Sequence, residues 1–275
     1  MGGHMVAATP VDGLAPGDHA CLTYTDADER LDLLSAFVDA ARARGDRTIC
    51  YTDDSHGLDS KSVVPVQRLW GGGAAPSAET MVELLAHELR TALRDGHTGL
   101  SVTADMCWAT RPQANAEQLL VFESEVGRLF EGGRFTAICE YDRAGFDPVT
   151  LGYAARVHPR TVAATVYHED PVLRICRQHI PPGVRVAGEL DFTRAEALSN
   201  ALGEAVRLDR DIHLNLSRLA FIDAAAAAVL LRTAAALPGQ RRMVVVCTEQ
   251  IGRTLRVAGA DGVPSLRMLV RDGEH

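Results

Sequence analysis

The amino-acid sequence predicts an α/β protein built from two units. Patterns typical of helices and patterns typical of strands alternate along most of the 275 residues. The strand-like runs, such as RTICYT and FTAICEY, are apolar on both faces, which is typical of parallel strands covered by helices on each side. Several helical runs end at a glycine, which readily stops a helix. These features predict parallel sheets with helices on both faces.

The first unit begins with a helical pattern in which apolar residues recur over 31–38. The acidic residues Asp26, Asp28 and Glu29 precede it, as expected at a helix start, and Gly45 follows it. The alternation then repeats downstream. We predict a strand at 48–52, a helix at 78–93, a strand at 99–103, a helix at 116–130 and a strand at 135–141.

A boundary between the units is predicted near residue 170, because residues 167–182 contain three prolines and no sustained helical period. The predicted organisation is an N-terminal tail at 1–11, a first domain at 12–170 and a second domain at 171–275. Residues 1–4 read MGGH ahead of a second methionine, and we interpret them as an expression remnant. In the second domain we predict strands at 184–190, 211–216, 243–247 and 266–270, and helices at 194–206, 224–236 and 250–258.

Composition disfavours several classes of function. The formal net charge is −8 and no stretch of arginines forms a basic patch, so nucleic-acid binding is not expected. No apolar run reaches the ~20 residues that a membrane-spanning helix needs, and no signal sequence is recognisable, so we expect a cytoplasmic protein. Lys61 is the only lysine, and no GxxxxGK loop followed by serine or threonine occurs, which disfavours ATP hydrolysis.

The six cysteines are dispersed without CxxC pairs, which predicts reduced thiols rather than a zinc-binding motif. Cys50, Cys139 and Cys247 lie in apolar strand-like runs, where cysteine usually behaves as a small buried hydrophobic residue. We predict that these three thiols are buried.

Three motifs follow one another in the second domain: GELD at 188–191, NLSRLAFID at 215–223 and RVAG at 256–259. Together they closely resemble a STAS domain, the fold of anti-sigma factor antagonists, over about residues 171–271. The resemblance implies a domain that binds an anti-sigma factor or a serine kinase in a partner-switching pathway.

The chain departs from that family pattern at the start of a predicted helix. The family has a serine or threonine after the aspartate here, and a partner kinase phosphorylates it. In this chain Asp223 is followed by Ala224, Ala225 and Ala226, which have no hydroxyl group. Asp223 is still expected to cap the helix. These four residues belong either to a partner-binding surface without a phosphorylation switch or to a dimeric packing scaffold built on the alanine-rich helix.

Five motifs characterise the first domain: GDHACLTY at 17–24, VTADMCWA at 102–109, LLVFESE at 119–125, ICEYDRAGFDP at 138–148 and RVHPR at 156–160. The set resembles a MEDS domain over about residues 12–170. The resemblance implies a RecA-like fold and a sensory role toward small hydrocarbon-derived or related ligands.

His19 and Cys21 lie two residues apart, so in an extended segment both side chains point the same way. They can then face one pocket or contribute to one metal ion, but two ligands alone do not make a metal site. The residues considered to complete such a site are Asp105, Cys107, Cys139 and Glu140.

A ligand pocket is predicted at the carboxyl ends of the strands of the first domain. The alternative is structural: His19 caps a turn, Cys21 belongs to the core and Trp108 packs. The predicted lining residues are His19, Cys21, Tyr24, Asp105, Trp108, Glu123, Cys139 and Tyr141.

Together the two resemblances predict a regulatory protein that is not an enzyme. Ligand binding in the first domain is expected to change how the second domain presents its surface to a partner. The expected partners are an anti-sigma factor or serine kinase, a small organic ligand and, as an option, a second copy of the chain. The alternatives are a thiol- or metal-dependent enzyme that uses His19 and Cys21, or a dimeric scaffold.

Overall fold

The computed structural model describes residues 8–54, 57–71, 75–112, 114 and 116–271. Residues 1–4, interpreted above as an expression remnant, lie outside this described part. The chain forms two compact units, Met1–Ala163 and Ala164–His275. This division precedes the boundary predicted near residue 170, because the strand Val166–Glu169 pairs with the next strand of the second unit.

The first unit is built on a six-stranded parallel sheet. Its strands are β1 (His19–Tyr24), β2 (Arg47–Tyr51), β3 (Val63–Val64), β4 (Leu100–Asp105), β5 (Phe135–Asp142) and β6 (Arg160–Val162). Its α-helices are α1 (Ala27–Ala43), α2 (Ala78–Arg94), α3 (Ala116–Val126) and α4 (Pro148–Val157). The strand order is β3-β2-β4-β5-β1-β6, with every neighbouring pair parallel. The predicted α/β class is confirmed.

Local chemistry explains where these helices begin and end. The side chain of Asp26 caps α1 by accepting hydrogen bonds from the backbone N–H groups of Asp28 and Glu29. Gly45, with φ at 88°, takes the left-handed conformation that follows the helix end. α3 is shorter than predicted and continues as a 3-10 turn over Gly127–Phe130, because glycine is a poor helix former.

The sequence prediction does not contain α4, β3 or β6, which are short elements. α4 begins with Asp147 as its N-cap and a proline in its first turn, a common start for a helix. β1, left open as a loop or a strand, is a strand between β5 and β6. Its first four side chains are buried, which places His19 and Cys21 inside the unit.

The second unit also contains a six-stranded sheet. Its strands are β7 (Val166–Glu169), β8 (Leu173–Gln178), β9 (Gly183–Leu190), β10 (Ile212–Ile222), β11 (Met243–Cys247) and β12 (Leu266–Val270). Its α-helices are α5 (Ala195–Leu208), α6 (Ala224–Ala235) and α7 (Glu249–Val257). The strand order is β12-β11-β10-β9-β8-β7, parallel from β9 to β12 and antiparallel on both sides of β8.

Two parts of this unit differ from the prediction. β8 lies within the proline-containing segment for which no element was predicted, and its side chains are mostly buried. β10 extends to Ile222 rather than ending at residue 216, because irregular pairing with β9 carries the strand past the polar residues Asn215 and Ser217.

Cys50, Cys139 and Cys247 are buried free thiols, as predicted. Among the described helices, none has both the length and the apolar character needed to cross a membrane.

Candidate functional site

Buried polar side chains gather on one face of the parallel sheet of the first unit. β1 and β5 are parallel neighbours, with Cys21 opposite Cys139. Since side chains two residues apart on a strand point to the same face, His19 and Cys21 share this face with Cys139 and Tyr141. The prediction that His19 and Cys21 point the same way is confirmed.

Two further polar side chains reach this face, Glu123 from α3 and His158 from the residue that follows α4. Nε2 of His19 lies 3.5 Å from Oε2 of Glu123 and 3.6 Å from Sγ of Cys139. Nε2 of His158 lies 3.4 Å from the same Glu123 oxygen. All four side chains are buried, and one donor atom of each lies within 4.8 Å of the others. We call His19, Glu123, Cys139 and His158 the polar cluster.

Hydrogen bonds outside the polar cluster orient two of its members. The Tyr141 hydroxyl donates to Oε1 of Glu123 at 2.6 Å. Nδ1 of His158 lies 2.8 Å from the backbone carbonyl of Ala154, which can only accept, so Nδ1 carries a proton. These contacts leave Glu123 Oε2 and His158 Nε2 facing the cluster, and neither atom has a hydrogen-bond partner within the described part of the chain.

Aromatic packing holds the His19 ring in place. Its centroid lies 4.3 Å from that of Phe130 in a stacked arrangement and 4.1 Å from that of His158. Phe130 in turn contacts Phe135, with centroids 4.9 Å apart. The His19 imidazole is therefore confined between rings and cannot turn freely away from the cluster.

Burial shifts the pKa of three members of the polar cluster, His19, Glu123 and Cys139. Burial and the neighbouring His158 lower the pKa of His19 to about 2, so its imidazole is neutral. Burial raises the pKa of Glu123, although the nearby His158 acts in the opposite direction. Burial also raises the pKa of Cys139, and the Glu123 carboxyl adds to this shift. A cation bound here would act against both upward shifts, because it favours the ionised carboxyl and thiol groups.

The contacts disfavour a base–nucleophile pair of His19 and Cys21. Sγ of Cys21 lies 3.6 Å from the hydroxyl of Thr161, whereas the sulfur that His19 contacts belongs to Cys139. Burial raises the pKa of the Cys21 thiol, and a protonated thiol is a poor nucleophile.

The eight residues predicted to line one pocket lie in three places. Three of them, His19, Glu123 and Cys139, belong to the polar cluster, and Cys21 and Tyr141 lie on the same face of the sheet. Trp108 is buried and packs edge-on against Phe122, with ring centroids 5.8 Å apart, as in the structural alternative. Tyr24 and Asp105 belong to the opposite face of the sheet, so the predicted pocket is divided by the sheet.

The alternation of side chains along a strand also corrects the metal ligands that the sequence suggested, which were Asp105, Cys107, Cys139 and Glu140. Of those four, only Cys139 lies in the polar cluster. Glu140 is the next residue along β5 and therefore points to the other face, together with its register partner Asp105. Asp105 instead accepts a hydrogen bond from the backbone N–H of Cys107. Sequence reasoning missed His158, although it lies in the RVHPR motif.

The opposite face of the sheet holds a buried ion pair. Nε of Arg30, on α1, donates to Oε2 of Glu140 at 2.6 Å, and Nη2 donates to the hydroxyl of Thr52 at 3.2 Å. The Arg30 guanidinium also lies over the ring of Tyr24, 5.4 Å from its centroid. Burial raises the pKa of Glu140 to about 7, with Arg30 acting in the opposite direction. These contacts give Tyr24 a structural role.

The start of α1 is poorly suited to phosphate. A helix N-terminus binds phosphate through its free backbone N–H groups. Here the carboxylate of Asp26 already accepts from two of them, and Asp28 and Glu29 add negative charge to the same turn. This arrangement agrees with the missing phosphate-binding loop.

In the second unit, Asp223 caps α6 as predicted. Its Oδ1 accepts from the backbone N–H of Ala226 at 2.8 Å, and its Oδ2 accepts from the N–H of Phe192 at 2.7 Å. Ala224 and Ala225 are exposed, but the side chain of Ala226 is buried in the core because it points inward from the helix. The predicted set of four therefore presents two alanine side chains to solvent.

The two units match two family models, one of a sensory domain and one of a domain that generally binds partner proteins in signalling. The chain belongs to the MEDS family, because residues 18–159 match the model described as MEthanogen/methylotroph, DcmR Sensory domain. Residues 174–271 match the model described as Mlab, STAS domain. Both resemblances identified from motifs are confirmed, and the two domains indicate a regulatory role.

No curated protein matches the chain. Among solved structures, the chain is similar to the flagellar accessory protein FlaH from Methanocaldococcus jannaschii, at 10% sequence identity and a TM-score of 0.36. That similarity covers 61% of this chain and 80% of the FlaH chain.

Proposed function

We propose that this protein is a cytoplasmic regulator whose MEDS domain senses a small ligand and whose STAS domain transmits the signal by binding an anti-sigma factor or a serine kinase. The observation that carries the proposal is the start of α6. It keeps the aspartate cap typical of a STAS recognition site, and it offers alanines where the family carries a phosphorylated hydroxyl. Control therefore comes from the sensory domain rather than from phosphorylation at this position.

The cap at Asp223 supports a preformed binding surface. One carboxylate oxygen holds the first turn of α6 and the other holds the backbone at Phe192, in the turn after β9. Because both oxygens are engaged, the turn and the helix start are fixed relative to each other without a ligand. A surface fixed in this way binds a partner with a smaller loss of conformational entropy.

Exposed aromatic side chains lie next to this cap. Phe192 is 70% exposed and Phe221, two residues before Asp223, is 45% exposed. Ala224 and Ala225 form a small, flat area at the helix start. Aromatic anchors beside small residues are typical of the centre of a protein–protein interface. We call Phe192, Phe221, Ala224 and Ala225 the partner surface.

The dimeric scaffold has less support. Ala226, Ala227 and Ala234 of α6 are buried in the core of their own unit. These three alanines are thus used within the domain, whereas Ala224, Ala225 and Ala235 of the helix are exposed. The partner surface is formed instead by the exposed residues at the helix start.

Phe221→Ala is the variant that tests the proposal. The full chain is titrated by calorimetry with purified anti-sigma factors and serine kinases from the same organism, one at a time. We expect one of them to bind, and Phe221→Ala to weaken binding by at least ~2 kcal/mol, roughly 30-fold, because an aromatic anchor is lost.

Val257→Ala is the matched control. Val257 is an apolar side chain on α7 that is 90% exposed and lies outside the partner surface, so its truncation should leave the affinity unchanged. The proposal is wrong if no candidate partner binds, or if both substitutions weaken binding equally.

A further inference from the structure

We propose that the polar cluster of the first unit binds a divalent transition-metal ion, with Zn²⁺ as the best fit. The ligands are Nε2 of His19, a carboxylate oxygen of Glu123, Sγ of Cys139 and Nε2 of His158. This inference deepens the proposed sensory role. That a bound ion would serve sensing rests on the proposed function, whereas metal binding itself is argued from the polar cluster alone.

The spacing of the four atoms fits a tetrahedral ion. Ligand atoms bound at about 2.0–2.3 Å to one tetrahedral Zn²⁺ lie roughly 3.3–3.8 Å from each other. Three separations within the cluster are 3.4, 3.5 and 3.6 Å, and they involve all four residues. The remaining separations are no longer than 4.8 Å, so the side chains must close in by at most about 1 Å to surround an ion.

Two atoms of the cluster lack the partner that burial requires. The side chains of Glu123 and His158 are both 0% exposed, and their facing atoms, Oε2 and Nε2, form no hydrogen bond with described residues. Leaving buried polar atoms unpaired is costly, and their 3.4 Å separation is too long for a good hydrogen bond between them. One cation between them would satisfy both atoms.

The surrounding hydrogen bonds have the pattern found around metal ligands. A histidine that binds a metal through one ring nitrogen usually donates from the other to a carbonyl or carboxylate. His158 does so through Nδ1 to the Ala154 carbonyl, which leaves a lone pair on Nε2. The Glu123 ligand is held by the Tyr141 hydroxyl in the same way.

Charge and ligand type select the metal. Two neutral imidazoles, one thiolate and one carboxylate balance a dication, so the loaded site has no net charge inside the fold. The Cys139 thiol loses its proton to solvent when the sulfur–metal bond forms. Nitrogen and sulfur ligands favour Zn²⁺ and its neighbours over Mg²⁺ or Ca²⁺, which prefer all-oxygen sites.

The four ligands come from β1, α3, β5 and the segment after α4, so one ion connects distant parts of the first unit. An ion that binds only the folded protein stabilises the folded state by mass action. We expect saturating Zn²⁺ to raise the Tm of the chelator-treated full chain by at least about 5 °C.

The direct test is titration of the full chain with Co²⁺ and Zn²⁺ after removal of metal with a chelator. Wild-type protein is expected to bind one equivalent, and Co²⁺ is expected to give a thiolate charge-transfer band with the intense d–d bands of tetrahedral coordination. Cys139→Ser should lose the charge-transfer band. His158→Ala should weaken Zn²⁺ binding at least ~100-fold, since a direct ligand matters more than an outer hydrogen bond.

Two further variants guard against effects of misfolding. Tyr141→Phe keeps all four ligands and loses only the bond to Glu123, so Zn²⁺ affinity should fall roughly 10- to 100-fold. Cys50→Ser alters another buried thiol, on β2, and should keep the Co²⁺ spectrum of the wild type. Absence of stoichiometric binding by the wild-type protein, or a charge-transfer band that survives in Cys139→Ser, overturns the site.

Failure of the metal site can be distinguished from failure of the proposed function. Metal binding is measured on the protein alone, whereas the partner titration uses Phe221→Ala, which keeps all four ligands. A protein that binds Zn²⁺ but no candidate partner refutes only the proposed function. One that binds a partner but no metal refutes only the metal site.

Discussion

Gly188→Ala is expected to lower the free energy of unfolding of the second unit by about 4 kcal/mol or more. Gly188 lies in β9 with φ at +102°, a conformation that residues with a side chain rarely adopt. A Cβ atom at this position would lie 2.0 Å from the backbone oxygen of Val172. Because that oxygen belongs to the main chain, it cannot rotate away as a flexible side chain would.

The position of Gly188 in the sheet makes the effect large. It pairs with Leu173 of β8 on one side and with Leu219 of β10 on the other. Moving the backbone to relieve the contact therefore disturbs both neighbouring strands of the core. A loss of this size is a large part of the 5–15 kcal/mol that typically stabilises a domain.

Urea denaturation of the full chain, followed by far-ultraviolet circular dichroism, measures the change. Hydrogen exchange of the β9 and β10 amides assigns the loss to the second unit. Gly203→Ala is the control, because Gly203 lies within α5 and its added Cβ would meet no atom within 4 Å. That variant should be more stable by ~0.5–1 kcal/mol. Equal effects of the two substitutions would contradict the close contact at Gly188.

Sequence patterns predict correctly the elements that depend on residues close together in the chain. The start of α6 was predicted because an aspartate cap precedes an alanine-rich run, and β11 because an apolar run lies between turn signals. α4 was missed, since its short helical run contains Gly152 and carries a weak apolar period. β10 was predicted too short because its irregular pairing with β9 depends on a neighbouring strand rather than on its own residues.

The candidate site was predictable only in part, because its residues meet through tertiary structure. His19 and Cys139 are far apart in the chain and become neighbours only when β1 pairs with β5. No pattern in the neighbouring sequence predicts the pairing of β1 with β5. None distinguishes the buried His158 from a histidine in an exposed loop. The position of Tyr24 did have a signal. It lies three residues after Cys21, and an odd spacing on a strand places two side chains on opposite faces.

Arg30→Met is expected to destabilise the first unit by about 3–5 kcal/mol at pH 8, where the Glu140 carboxyl is ionised. The side chains of Arg30 and Glu140 are 4% and 0% exposed, and the bond between them is 2.6 Å long. Methionine preserves the length of the arginine stem but removes its charge and donors. Without Arg30 the pKa of Glu140 rises further, so the buried carboxyl either stays charged without a cation or takes up a proton at pH 8. Either outcome costs far more than the loss of an exposed pair.

The double variant Arg30→Met with Glu140→Gln separates charge from packing. Glutamine keeps the shape of glutamate and removes the uncompensated charge, so we expect the double variant to recover at least half of the lost stability. Arg253→Ala is the matched surface control. It breaks an exposed pair with Glu249 and should cost less than ~1 kcal/mol. Urea unfolding of the wild type, Arg30→Met, Glu140→Gln and the double variant gives the coupling energy between the two side chains. A double variant no more stable than Arg30→Met would mean that Arg30 acts through packing, and that the opposite face of the sheet is not held by charge.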